Sequence, residues 1–100
     1  MLNELGININ TVPVLDIRKP HSSKVISDRS YSTNSKIVSK IGAFCINEFS
    51  KKKIATVIKH IPGHGLARVD SHLKTPIVKS KSNYLYKNDF SVFKNKDTFF

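Results

Sequence analysis

Residues 53–72 read KIATVIKHIPGHGLARVDSH, and the character of the chain changes at Lys59. Upstream, Ile54 to Ile58 is short, apolar and β-branched, the pattern of a strand buried on both faces, as parallel sheets require. Downstream is a loop punctuated by Pro62, Gly63 and Gly65 that carries His60, His64, Asp70 and His72. That loop follows the C-terminal end of a parallel strand, where α/β folds put ligands and catalytic groups.

Three chemistries compete for such a loop. Histidines and a carboxylate can converge on a metal. Pro62 prevents a helix here, however, so His60 and His64 do not share a helical face. The spacing matches no closed ligand set, and neither a metal nor another cofactor is expected. A phosphate cradle is weaker still, because the glycines do not lead at once into a helix N-terminus with its lysine and hydroxyl. An acid/base pair fits better. A turn, with Ser71 holding it, can bring the Asp70 carboxylate to the His72 imidazole. A carboxylate there favours the protonated ring and fixes its tautomer.

Working outward, Asn34 or Ser35 is a plausible N-cap for a helix whose stripe is Ile37, Val38, Ile41, Phe44, Cys45 and Phe49, with Glu48 on its margin. Lys51 to Lys53 suit its C-terminal end. Before it, GININTVPVL (6–15) reads as a strand through Ile7, Ile9, Val12, Val14 and Leu15. Pairing should end or bend at Pro13, with Asp16 just beyond the strand. The polar stretch 18–33 is a long connection. A second helix is expected over Asn83–Lys94, using Leu85, Phe90 and Phe93, and DTFF (97–100) resembles the start of another strand. Strand, helix, strand, helix, strand start is the order of βα units in an α/β fold. So few elements cannot cover both faces of a sheet. Its edges, and the Ile37, Ile41 and Phe44 stripe, should stay partly uncovered.

Composition narrows the class. One hundred residues with 39% hydrophobic content and a formal charge of +10 make at most one small domain, folding against self-repulsion. The lysines are scattered, a weak nucleic-acid footprint. Cys45 stands alone, so no intrachain disulfide forms and a reducing compartment fits. The first ten residues lack the basic start and apolar core of a signal peptide, and no stretch would span a bilayer. A cytoplasmic protein with no membrane partner is expected.

The segments GININTVPVLDI, ISDRSY, KHIPGHG and VDSHLKTPIV, in this order and spacing, resemble glycoside hydrolase family 3. They are most similar to its bacterial β-N-acetylhexosaminidases of peptidoglycan recycling. The resemblance covers nearly the whole chain. It implies an incomplete (β/α)8 TIM barrel of two to three βα units over 1–100. The implied reaction is retaining hydrolysis of a terminal N-acetylglucosaminide from a glycan or muropeptide. It implies His72 as general acid/base, Asp70 as its dyad partner, and Lys59, His60 and Arg29 as ligands of sugar hydroxyls. Charged donors at strand ends suit a sugar's oxygens. Ile61 and Leu66 depart from the family's usual phenylalanine and polar residue. The family's nucleophile aspartate belongs to a later strand, so the chain reads as an internal fragment, inactive alone. The remaining barrel segments, carried as separate chains, are then candidate partners.

Plainer readings accompany these residues. Arg29 beside Asp28 can be a solvated ion pair, and Lys59 and His60 can cap a strand end. Cys45 reads as core. Asp16 is a weaker site candidate, Asp28, Glu48, Asp89 and Asp97 read as surface charges, and His21 as a loop residue. Besides the hexosaminidase-type fragment, a basic nucleic-acid-binding module and a gene remnant without function are the alternatives.

Overall fold

A computed structural model describes residues 1–94; the strand start expected at 97–100 lies outside the described residues. β1 (Ile9–Asn10) pairs in parallel with β2 (Ala55–Thr56), Ile9 opposite Ala55 and Asn10 opposite Thr56. The ladder outlasts these short strands. Ala55 N–H donates to Asn8 O at 2.8 Å, Val57 N–H to Asn10 O at 3.1 Å and Leu15 N–H to Lys59 O at 2.7 Å, and Val14 bridges Lys59. Three residues lie between Asn10 and Val14 where two lie between Thr56 and Lys59, so the first strand carries one extra residue. It falls around Pro13, which has no N–H to give to a ladder.

Beyond that bulge, Pro13, Val14, Leu15, Asp16 and Ile17 are all buried. Burial on both faces was expected of Ile54–Ile58, yet there Ile54 is buried while Val57 is 46% exposed. The difference lies in what packs where. Leu15 and Ile17, two apart and so on one face, join Val38 and Val92 in the core, with Ile58 and Phe93 against them. Asp16, on the other face, is covered by the 60–65 loop.

The connecting helix α1 (Ser35–Lys51) starts where expected. Asn34 Oδ1 accepts from the Lys36 and Ile37 N–H groups at 2.9 and 3.3 Å, satisfying two of the helix's orphan donors. Its buried face is Val38, Gly42 and Ile46. A Cβ on Gly42 would sit 2.3 Å from Leu15 Cδ2, so glycine is what lets the helix lie against β1's continuation. Ile37, Ile41 and Phe44 stay exposed, at 48%, 37% and 66%. At the other end Lys53 takes φ +56°. Lys53 and Ile54 donate N–H to the Ser50 and Phe49 carbonyls at 2.9 and 3.0 Å, a reversal that turns the helix directly into β2.

The second helix is shorter than expected. α2 spans Ser82–Lys87, and a single 3-10 turn, Ser91–Phe93, follows. Residues 88–90 separate them, beginning with Asn88. Its side-chain Nδ2 and its own N–H both donate to Tyr84 O, at 2.9 and 3.0 Å, side-chain bonding that competes with helix propagation. The break allows Val92 to be fully buried beside Val38. Among the described residues no helix is long and apolar enough to cross a membrane.

Two substitutions separate cap from surface. Asn34→Ala should lower the unfolding free energy by about 1 kcal/mol, whereas Phe44→Ser, on an exposed face, should change it by less than about 0.5 kcal/mol. Urea denaturation followed by far-UV circular dichroism measures both; equal losses would contradict the assignment of faces.

Candidate active site

Strand end and loop are joined by one side chain that was only a weak candidate in the sequence. Asp16 has no exposed surface. Its Oδ1 accepts from the His64 N–H at 2.6 Å, with a longer 3.5 Å approach from the His60 N–H. Its Oδ2 lies 2.6 Å from His60 Nδ1. A carboxylate only accepts, which favours the ring form that carries a proton on Nδ1. His60 is 37% exposed, and the His64 ring stands edge-on to it, centroids 6.2 Å apart. The peptide bonds Lys59–His60 and Ile61–Pro62 are cis. A Cβ on Gly65 would fall 1.8 Å from the Ile17 carbonyl oxygen, so only glycine permits the loop's close approach to the strand.

The pair expected at Asp70 and His72 is formed. His72 Nδ1 lies 2.8 Å from Asp70 Oδ1, which also accepts the His72 N–H at 2.9 Å. The turn is closed by the Asp70 carbonyl, which accepts from Leu73 and Lys74, both at 3.0 Å. The backbone and side-chain hydrogen bonds from His72 hold the Asp70 carboxyl below the usual carboxylate range, with a smaller contribution from the charge of His64. Asp70 is therefore ionised at neutral pH. The imidazole is open to solvent, 81% exposed.

The other expected ligands hydrogen-bond elsewhere than to that pair. Lys59 Nζ donates to Thr11 Oγ1 at 3.3 Å, on the strand beside it. Arg29, in the 3-10 turn Ser27–Arg29, is exposed and donates from Nη1 to its own neighbour Val25 O at 2.9 Å. Ser30, rather than Arg29, ties this segment to the strand: its buried hydroxyl donates to Asp16 O at 2.7 Å and accepts the Arg18 N–H at 3.1 Å. Ser22 Oγ bonds Gly65 O, and Ser23 N–H donates to Ala67 O at 2.9 Å. The 18–30 connection thus flanks the loop, with the guanidinium bonded to Val25 O rather than to the Asp70–His72 pair. Among the described residues, no three His, Cys, Asp or Glu side chains are grouped to hold a metal ion.

Asp89 is not the surface charge expected. It is 3% exposed, and both carboxylate oxygens are buried without a hydrogen-bond partner. It borders a pocket of about 90 Å³ with Pro62, Gly63, Leu66 and Phe90. Burial raises its pKa. Asp28 is exposed, as expected, and Glu48 pairs with Lys51 at 2.7 Å. Cys45, expected in the core, is instead a half-buried free thiol outside the helix's buried face, raised in pKa by its partial burial. Nothing in the spacing of Asp89 signalled its burial, because the helix break that turns it inward depends on Asn88. Asp16 did carry a signal, its place immediately after a strand.

Known proteins resemble the chain in sequence and in fold. A family profile described as "Glycosyl hydrolase family 3 N terminal domain" matches residues 1–96. Beta-hexosaminidase A of Pseudoalteromonas piscicida is 36% identical over 92 residues, 92% of this chain and 15% of that protein. A family 3 β-N-acetylglucosaminidase from Paenibacillus sp. str. FPU-7 superimposes with a TM-score of 0.88 at 35% identity, over 92% of this chain and 18% of that one. NagZ from Neisseria gonorrhoeae, solved with N-trifluoroacetyl-D-glucosamine, gives 0.84 at 30% identity, over 92% and 27%. The chain therefore spans about a quarter or less of the relatives it matches.

The state of Asp89 sets a pH dependence. With a folded pKa above its unfolded value, Asp89 weakens folding as pH rises from the unfolded value to the folded one, and the penalty is constant above that. Asp89→Asn should raise Tm at pH 7 and leave it unchanged at pH 3, where both states are protonated. Thermal melts of both chains at the two pH values check this; an equal shift at both would show that ionisation is not the cause.

Proposed function

Because the chain belongs to the glycosyl hydrolase family 3 N-terminal domain family, we propose that it carries the acid/base side of a retaining β-N-acetylhexosaminidase. In this reading residues 1–100 are part of a (β/α)8 catalytic barrel, and the substrate is a terminal N-acetylglucosaminide of a glycan or muropeptide. The observation that carries the proposal is the Asp70–His72 hydrogen bond on the loop following a parallel strand. The lone free cysteine fits a reducing compartment, the cytoplasm. A basic nucleic-acid-binding module is not favoured, since the matched relatives are hexosaminidases.

The chemistry follows from the pair. Retaining hydrolysis breaks the glycosidic bond in two displacements through a covalent glycosyl-enzyme, with a carboxylate as nucleophile on the face of the sugar opposite the acid/base group. We assign that carboxylate to no residue of this chain. In the first displacement protonated His72 gives its Nε2 proton to the leaving oxygen, while Asp70 holds Nδ1–H and stabilises the ring's charge. In the second, neutral His72 takes a proton from water as water attacks the anomeric carbon and releases the carboxylate. The low pKa of Asp70 suits this role, because a carboxylate that stays ionised orients the ring through both steps. Lys59, His60 and Arg29 are proposed to bind sugar hydroxyls; the Arg29 guanidinium has further N–H donors besides the one on Val25 O.

A chimera tests the roles. Residues 1–96 of this chain, replacing the matching segment of the Pseudoalteromonas enzyme, should give an active N-acetylglucosaminidase. His72→Ala in it should lower kcat about 100-fold or more for alkyl leaving groups and far less for nitrophenolate, which needs no proton. Equal losses on both, in a folded chimera, would remove His72 from the acid/base role.

A further inference from the structure

We propose that Asp16 is the positioning residue of His60: it fixes the ring as the Nδ1–H tautomer and so presents Nε2 as a hydrogen-bond acceptor for a sugar hydroxyl. The inference rests on the assignment of His60 as a hydroxyl ligand.

The argument begins with the donor count. Asp16 Oδ1 meets the His64 N–H at 2.6 Å and Oδ2 meets His60 Nδ1 at 2.6 Å. Both oxygens are engaged in a side chain with no exposed surface, and an acceptor-only group cannot face an unprotonated Nδ1 without two lone pairs opposing each other. The tautomer is therefore set from beneath. His60 is itself partly exposed, so the ring leans on a buried carboxylate at one edge and meets solvent elsewhere. A neutral Nε2 lone pair there takes a hydroxyl proton, whereas the neighbouring Lys59 ammonium can only donate. The Lys59 ammonium itself donates to Thr11 Oγ1 at 3.3 Å, so the acceptor that this strand end offers is the one on His60. The same carboxylate, through His64 N–H, also holds the loop backbone beyond the ring. Orientation of the ring and register of the loop thus depend on one group.

The design of the test follows from this geometry. Asp16→Asn is nearly isosteric: its carbonyl oxygen can still accept the His64 N–H, while its NH2 group must donate to His60 Nδ1. The loop bond is kept and the tautomer is reversed. The full chain, labelled with 15N at histidine, is examined by long-range 1H–15N correlation above the ring's titration range, and N-acetylglucosamine binding is measured on the chimera with the Pseudoalteromonas enzyme, with and without the same substitution. In the wild type His60 should show a protonated Nδ1 and a bare Nε2. In Asp16→Asn the two should exchange, the His64 amide signal should stay close to its wild-type position, and the sugar should bind roughly tenfold more weakly. A wild-type His60 protonated on Nε2 overturns the proposal, and this needs no variant to fold. So does an Asp16→Asn substitution that reverses the tautomer yet leaves the chimera's binding of N-acetylglucosamine unchanged. A wild type with the expected tautomer, in a chimera whose affinity for N-acetylglucosamine is unchanged by His60→Ala, upholds the hold of Asp16 on the ring and instead overturns the sugar role of His60.

Discussion

A buried carboxylate facing backbone and ring donors is the constraint on which this small fold turns. Asp16 emerges at the covered end of the first strand, opposite in facing to Leu15 and Ile17, and meets the loop that leaves the second strand. The parallel ladder from Asn8 to Lys59 brings the two strand ends level. Leaving such buried donors unpaired costs on the order of 1–3 kcal/mol each, so strand and loop are coupled: neither can shift without breaking bonds in the other. Gly65 completes the fit because any side chain there would enter the Ile17 carbonyl.

Around that joint the molecule divides into a packed side and an open side. The packed side is α1 on Leu15, with Val92 closing the core. Gly42 sets the approach of the helix, and the Lys53 reversal sets its exit into β2. The open side includes Ile37, Ile41, Phe44 and Val57, apolar surface of the kind that other elements of a larger domain cover. The Asp70–His72 pair lies beyond the loop on a solvent-facing turn. The proposed acid/base role uses an imidazole open to solvent with an ionised carboxylate behind it.

Much of this was legible in the residues. The order of strand, helix and strand followed from β-branched runs and a helical stripe, and the Asn34 cap and the bend at Pro13 followed from side-chain chemistry that acts locally. The Asp70–His72 pair was legible for the same reason, being two residues apart in one turn. What local pattern could not give were properties decided between distant segments. Asp16 finds its donors 44 and 48 residues away, and Asp89 is buried because a helix breaks one residue before it. Arg29 shows the converse. Its motif placed it near the strand end, but it is Ser30 that makes the contact.

Amide hydrogen exchange at His64 tests the coupling most directly. A residue in a glycine-flanked loop ordinarily exchanges fast through local opening. If Asp16 anchors the loop, the His64 N–H should exchange as slowly as the Leu15 N–H, which is bonded to Lys59 O, because both would open only when strand and loop separate. Exchange of His64 at the rate of a free loop amide, with Leu15 still protected, would show that the loop moves independently of Asp16 and would contradict the account.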